Sequence, residues 1–362
     1  MKKYLSPLSV SILLILLFLG FFLSKSNGDP LVFAEIGTRF SEAKPEGTEG
    51  YDGQFVYYIA LDLNPKVVAP LLDSPAYRYQ RILLPLLARL LSFGQHNLIA
   101  WLIPLISLTA HLLAIWVLSK LIQSYKQSKW LVLVYGLWVG FMLALRLDLT
   151  EPLAYAFIVF AIFAQQKEKI ALSWLFYGAA IFAKEVTILF VLAQILSDLY
   201  NKRWKESIGL SLIAILPFVI FQFWLAENFG TFGIGSGGAL ATAFEWIPFM
   251  GIFRIGEYSM LFLAAMLVIY TPAIIIPVGW GMGQTVNNWI KGKMDLFSIG
   301  LFLNAFTLLF IPFSTYREPN GTFRLLGGLI LSLLLFAAKH NHKRVLNYSY
   351  LYLVMNVFLL RL

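Results

Sequence analysis

The 362-residue chain contains no cysteine and only four histidines, and charged residues make up just 13% of it. Without thiols, disulfides and thiolate-held metals are excluded, although their absence does not identify the compartment. So little charge excludes an ordinary soluble domain, because 59% of the residues are hydrophobic, 16% are aromatic, and apolar runs extend from end to end. The composition is that of an all-α chain, a polytopic bundle of transmembrane helices. The basic excess, 28 Lys and Arg against 19 Asp and Glu, punctuates the apolar runs instead of gathering on one polar face. It therefore marks membrane topology, not a nucleic-acid partner.

The expected organisation is a single membrane domain over residues 1–362. Residues 1–24 read as a signal-anchor helix: the apolar run Leu5 to Leu23 follows Lys2 and Lys3, which place the amino terminus in the cytoplasm. Residues 25–93 read as a long first external loop ending in an interfacial helix, Arg81 to Ser92, too short to cross. Core helices follow over 97–226, a second external loop over 227–258, and further transmembrane helices over 259–362. About eleven crossings result, the last being Val345 to Leu360. The glycine-rich run in the second loop, FGTFGIGSGGAL, lacks the context of a nucleotide-phosphate cradle and reads as a flexible or re-entrant segment.

Two short pairs of apolar runs interrupt the core. Trp130 to Leu145 and Pro152 to Gln165 are each too short to fill a hydrocarbon layer of about 30 Å, so the turn from Arg146 to Glu151 is expected below the outer membrane surface. The same geometry recurs between Lys169 and Lys202, where two short helices meeting at Lys184-Glu185 preserve the pattern of cytoplasmic positive charge. A Lys-Glu pair at that depth is consistent with either a structural or a functional role. On this topology the cytoplasmic segments hold 15 of the 28 basic residues but only four acids, Glu168, Asp198, Glu206 and Asp295. Acids contribute little to topology, so their concentration on the other side asks for a functional account.

The densest polar stretch is Glu49 to Pro85, EGYDGQFVYYIALDLNPKVVAPLLDSPAYRYQRILLP, with three aspartates, two arginines and a cluster of tyrosines. Asp52, flanked by aromatics and followed by Gly53, has the chemistry of a general base, and also of a helix cap ahead of Gln54. Asp62 and Asp73 precede Asn64-Pro65 and Ser74-Pro75 and read as turn residues. Arg78, Arg81, Lys184, Arg317 and Arg324 are the cations available to a leaving phosphate, and the arginines are equally suited to lipid headgroups. Asp148 and Glu151 serve either a pocket or the cap of the helix beginning at Pro152.

The pattern Tyr51-Asp52-Gly53-Gln54-Phe55 with Tyr57 and Tyr58, followed by Tyr77-Arg78-Tyr79-Gln80-Arg81 and the turns at Asp148-Leu-Thr-Glu151 and Ala183-Lys184-Glu185, resembles bacterial members of the GT-C superfamily of integral-membrane glycosyltransferases. It is similar to the mannosyltransferase-like branch with a YDG-x-F stretch in the first external loop, and the likeness spans roughly the first 200 residues. The resemblance implies a polyprenyl-phosphate-linked sugar donor, a lipid, glycan or protein acceptor, and a location in the bacterial cytoplasmic membrane with the site facing outside. It implies Asp52 as base, Asp148 or Glu151 as lining the acceptor or donor pocket, and Lys184 or nearby arginines on the donor phosphate; Glu185 is a further candidate pocket acid. Tyr51, Tyr57 and Tyr58 are candidates for stacking on sugar or for anchoring at the interface among membrane lipids. No organic cofactor is expected, and a divalent ion bridged by Asp52 and Asp148 stays open. Two other classes fit the same composition: a transporter or flippase of lipid-linked saccharide, and a non-catalytic subunit of an envelope-polysaccharide assembly.

Overall fold

A computed structural model describes residues 6–361, and within them every regular element is helical. The side chain of Arg361 is not described, and Lys2 and Lys3, expected to set the topology, lie outside the described residues. Five helices are long and apolar enough to cross a membrane: α1 (Pro7–Lys25), His96–Ser124, Trp204–Phe229, Met260–Ile290 and Pro319–Lys339. A sixth span results if the bent pair Lys129–Gly136 and Val139–Arg146 is counted as one. These lengths and compositions mark an integral membrane protein. Three further apolar helices, Glu151–Gln166, Ile170–Ala183 and Leu296–Leu309, are shorter than a span; at about 1.5 Å per residue none fills the hydrocarbon layer alone.

The described chain divides into two compact units. The first comprises residues up to Leu118 with Phe141–Ile188 and Ser211–Ala239; the second comprises Ser119–Gly140, Leu189–Leu210 and Leu240 onward. In the first unit the segment after α1 is folded, not a loose loop: it contributes α2 (Gly53–Leu61), α3 (Pro75–Tyr79) and α4 (Leu83–Leu91). Helix α4 falls within the run Arg81 to Ser92 expected to form a short helix, and the chain turns after it at Phe93 and Gly94, both with left-handed backbone. Val56 and Ala60 of α2 pack with Leu84 and Ala88 of α4 and with Ile99 and Ile103 of α5 (His96–Ser124).

Helix α6 (Val139–Arg146) and α7 (Glu151–Gln166) are joined by the expected tight turn, in which Asp148 takes a left-handed φ of 52°. Helix α8 (Ile170–Ala183) lies against α7 and stops where the sequence predicts, at an extended Lys184. One tight turn over Glu185–Thr187 then leads into α9 (Ile188–Tyr200). Helix α10 (Trp204–Phe229) widens by one π-turn over Ser211–Ile215, just before Pro217, and Gly178 of α8 lets the helices approach there, its Cβ position lying 3.4 Å from the Ile213 carbonyl oxygen. A proline without an N–H accounts for the local break.

The second unit shows the same device at Thr271–Ile275 in α11 (Met260–Ile290), where Pro272 lies within the π-turn and Pro277 follows it. The freed carbonyls of Pro272 and Ala273 accept hydrogen bonds from the hydroxyls of Tyr348 (2.7 Å) and Tyr352 (3.0 Å). Helix α12 (Leu296–Leu309) opens on a capping box between Asp295 and Ser298 and packs on α11 and on α13 (Pro319–Lys339).

Two sequence expectations change here. The predicted helix from Trp130 to Leu145 bends by 50°, at a point where the indole of Trp138 donates to the Phe323 carbonyl (2.8 Å) and Gly140 lies directly against that same carbonyl. The expected last crossing, Val345 to Leu360, is instead a series of short turns, Lys343–Tyr348, Leu351–Val354 and Met355–Arg361. Its polar residues are committed sideways: the two tyrosines to α11, and the Asn356 amide to the Leu137 carbonyl (2.8 Å).

Candidate functional site

The first unit builds a chain of charged groups around Asp52. The YDG stretch is held by a backbone clasp: the Tyr51 N–H donates to the Glu35 carbonyl (2.9 Å), and the buried Gln54 amide accepts from the Gly37 N–H (3.1 Å) and donates to the Glu49 carbonyl (2.7 Å). Gly53 then sits directly against the Leu147 carbonyl, an approach no side chain permits. Asp52 does not cap α2; its side chain makes no capping hydrogen bond. Its Oδ1 lies 2.9 Å from Arg78 Nη2 instead.

Arg78 is itself clamped. Its Nε and Nη2 donate to the two carboxylate oxygens of Asp73 at 2.8 and 2.9 Å, so a single guanidinium joins Asp73 to Asp52. The Phe55 ring lies 4.7 Å beneath it. Three residues on, Arg81 makes a second two-pronged pair, donating to Glu185 at 2.8 and 2.6 Å, and the Tyr77 ring touches both guanidiniums, at 5.3 Å from Arg78 and 4.3 Å from Arg81. Burial opposes the charge on both arginines, but the facing carboxylates outweigh it and raise both pKa values. The third pair joins Lys184 to Glu151 (2.8 Å), and Glu151 is only 2% exposed.

Lys184 and Glu185 therefore do not pair with each other, contrary to the reading of that turn as a local Lys-Glu pair. Lys184 has extended backbone, which sends adjacent side chains to opposite sides. Glu151 does not cap α7 either: it is the helix's first residue, and its carboxylate turns to Lys184. Asp148 is fully buried in the turn beside it, with Oδ1 lacking a hydrogen-bond partner. Of the acids on these pairs Asp52 is the most open, with 27% of its side chain exposed against 18% for Glu185 and 13% for Asp73.

The tyrosines separate. Tyr51 packs on Ala144, Leu147 and Leu149. Tyr58 is in the core with Phe55, Ile59 and Leu72, which leaves it no open face for a sugar, and the half-buried Tyr57 packs at the edge of that cluster. Arg317 and Arg324 belong to the second unit, where Arg317 lies 5.3 Å over the Phe313 ring. Among the described residues no three acids or histidines converge as a metal site, and the Asp52 carboxylate proposed to bridge an ion faces Arg78.

Two contributors escape sequence reading. Asp73, expected to be a turn residue, is the clamp on Arg78; Asp62 does form such a turn, accepting from the Asn64 N–H at 2.8 Å. The glycine-rich run, expected to be flexible or re-entrant, lies along α3. The Ile234 N–H donates to the Gln222 side chain (3.0 Å), and Ser74 donates to the Gly237 carbonyl (2.9 Å). A Cβ on Gly233 would come within 2.7 Å of the Ala76 carbonyl, and one on Gly238 within 3.5 Å of Arg78 Nη2. The usable signals are the Asp-Ser-Pro-x-x-Arg spacing and the glycine density; neither names its partner. Comparison of the chain with protein-family models, curated proteins and solved structures finds no match.

Proposed function

We propose that the protein is a GT-C-type glycosyltransferase that moves a sugar from a polyprenyl-phosphate donor to a hydroxyl acceptor at the external face of a bacterial cytoplasmic membrane. The observation that carries this reading is the Asp73–Arg78–Asp52 arrangement: a clamped guanidinium beside the most open carboxylate of the cluster. The acceptor oxygen attacks the anomeric carbon and its proton passes to Asp52. The bond from that carbon to the phosphate oxygen breaks, and the polyprenyl phosphate leaves with the bonding electrons. A single displacement inverts the anomeric configuration. Arg78 and Arg81 are placed to exchange a carboxylate for the phosphate, a fork geometry that suits both anions, and fixed cations in a dry site stabilise charge that develops late.

In this reading the short helices α6 to α9 rise from the cytoplasmic side to turns recessed below the outer surface and, with α12 and the five long helices, bring the chain's passages through the membrane to about ten, partial ones included. The buried Lys184–Glu151 pair is the one observation that favours a transporter of lipid-linked saccharide instead.

The deciding experiment is sugar transfer by the purified chain in nanodiscs with a panel of radiolabelled polyprenyl-phosphate sugars, wild type against Asp52→Asn. A loss of about a hundredfold or more, the scale of general-base contributions, supports both the enzyme and its base. Equal transfer removes Asp52 from that role. Donor binding without transfer by the wild type points to the transporter or subunit.

A further inference from the structure

In the second unit, the segment after the glycine-rich run combines three features not expected of a water-exposed loop. Its large apolar side chains point outward: Trp246 is 95% exposed, and Phe244, Ile247, Phe253 and Tyr258 are exposed as well. Its charges are consumed internally, since Arg254 binds Glu245 at 2.9 Å and reaches Glu257 at 3.6 Å, with its guanidinium over the Phe313 ring. Its backbone is tied down: the Glu245 and Phe249 N–H groups donate to the carbonyls of Phe310 and Leu309, at the end of α12, and the Thr242 N–H donates to the Ser314 hydroxyl. Apolar groups outward, with the charges paired inward and the backbone anchored to the end of α12, is the arrangement suited to an apolar boundary, where surroundings supply few hydrogen bonds.

The segment also runs directly into α11, whose first residues Met260 and Leu261 are strongly exposed on a helix with the length and apolarity of a membrane span. The apolar surface is thus continuous with one that lipid covers.

We infer that residues 244–258 form a membrane-inserted foot whose occupant is the acyl-chain and headgroup boundary of the bilayer, with Trp246 as its anchor. An indole at that boundary buries its ring while its N–H stays near water, which is why tryptophan collects there. Pairing within the segment lets Glu245 and Arg254 enter the boundary without an unpaired charge.

The lack of native cysteine makes the test direct, since any introduced thiol is unique. Trp246→Cys, Leu17→Cys and Glu46→Cys are each spin-labelled in the full-length chain in nanodiscs; all three positions are exposed, Leu17 on α1 and Glu46 in a polar loop. Collision with oxygen, which partitions into lipid, is compared with collision with a water-soluble nickel chelate. The label at 246 is expected to resemble that at 17, with an oxygen-to-nickel ratio several-fold above that at 46. A ratio equal to that at 46 places the segment in water and overturns the inference. Low accessibility to both reagents overturns it too, since protein, a second copy or a partner, then covers the patch. Phe244→Cys repeats the measurement should Trp246→Cys fail to fold.

Discussion

Arg78 Nη2 lies 2.9 Å from both Asp52 Oδ1 and Asp73 Oδ2, so the two N–H groups of one nitrogen serve the candidate base and the carboxylate that clamps the arginine. Asp73 also holds Nε, which fixes the plane of the guanidinium and leaves Asp52 as the partner that a ligand can replace.

Replacing Arg78 by lysine keeps the charge but not the fork. Arg78→Lys is expected to cost about 1.5–3 kcal/mol of stability, the range for a hydrogen bond to a charged group, and, on the proposed function, to lower sugar transfer more than donor binding. Asp73→Asn should resemble it, and the double variant should fall short of the sum because the two groups act as a unit. A thermal-unfolding and transfer cycle measures the coupling; strict additivity would show that the clamp does not act through Arg78.

Gly53→Ala tests the backbone approach beneath Asp52. A methyl group there meets the Leu147 carbonyl, which cannot move without shifting the turn from Arg146 to Glu151. The expected result is a loss of at least about 1–3 kcal/mol from overpacking, accompanied by lost transfer. A fully stable Gly53→Ala protein would mean that the contact between α2 and the turn is loose.

The Lys184–Glu151 pair is nearly sealed from solvent, with side chains 11% and 2% exposed. Glu151→Leu or Lys184→Met alone strands the remaining charge and is expected to destabilise by about 3–5 kcal/mol, whereas the double apolar replacement should recover much of that loss. Unfolding midpoints in detergent decide it. Recovered stability with lost transfer would separate the pair's functional role from its structural one.

Asp295, in the second unit, provides a pH-dependent contribution to stability. Burial pushes its carboxyl up, but His340, 3.1 Å away, and the Ser298 N–H hold it below the ordinary value of 3.8. A depressed folded value means that the stabilisation is fully present above the unfolded pKa and is lost as pH falls through the folded one. Thermal midpoints should therefore fall on acidification below about pH 4, and Asp295→Ala, which also removes a cap worth about 1 kcal/mol, should flatten that part of the profile. An unchanged profile in the variant would assign the acid sensitivity elsewhere.

What the sequence determined by itself is the one-dimensional part of the architecture. Apolar run lengths give α1, α5, α10 and α11, and the breaks at Phe93-Gly94, at Asp148 and at Lys184 fall where charged or left-handed residues interrupt those runs. Prolines mark the start of α3 and the π-turns of α10 and α11. These features are local, and local backbone chemistry decides them.

Only the tertiary structure decided who pairs with whom. Lys184 and Glu185 are neighbours in sequence, yet their partners lie 33 and 104 residues away. Ser74 finds the glycine-rich run across 163 residues, and Tyr58 sinks into the core. In a low-dielectric interior every charge must find an opposite charge. Which one it finds depends on which helix faces the packing brings together, and nothing in a charged residue's own neighbourhood encodes that.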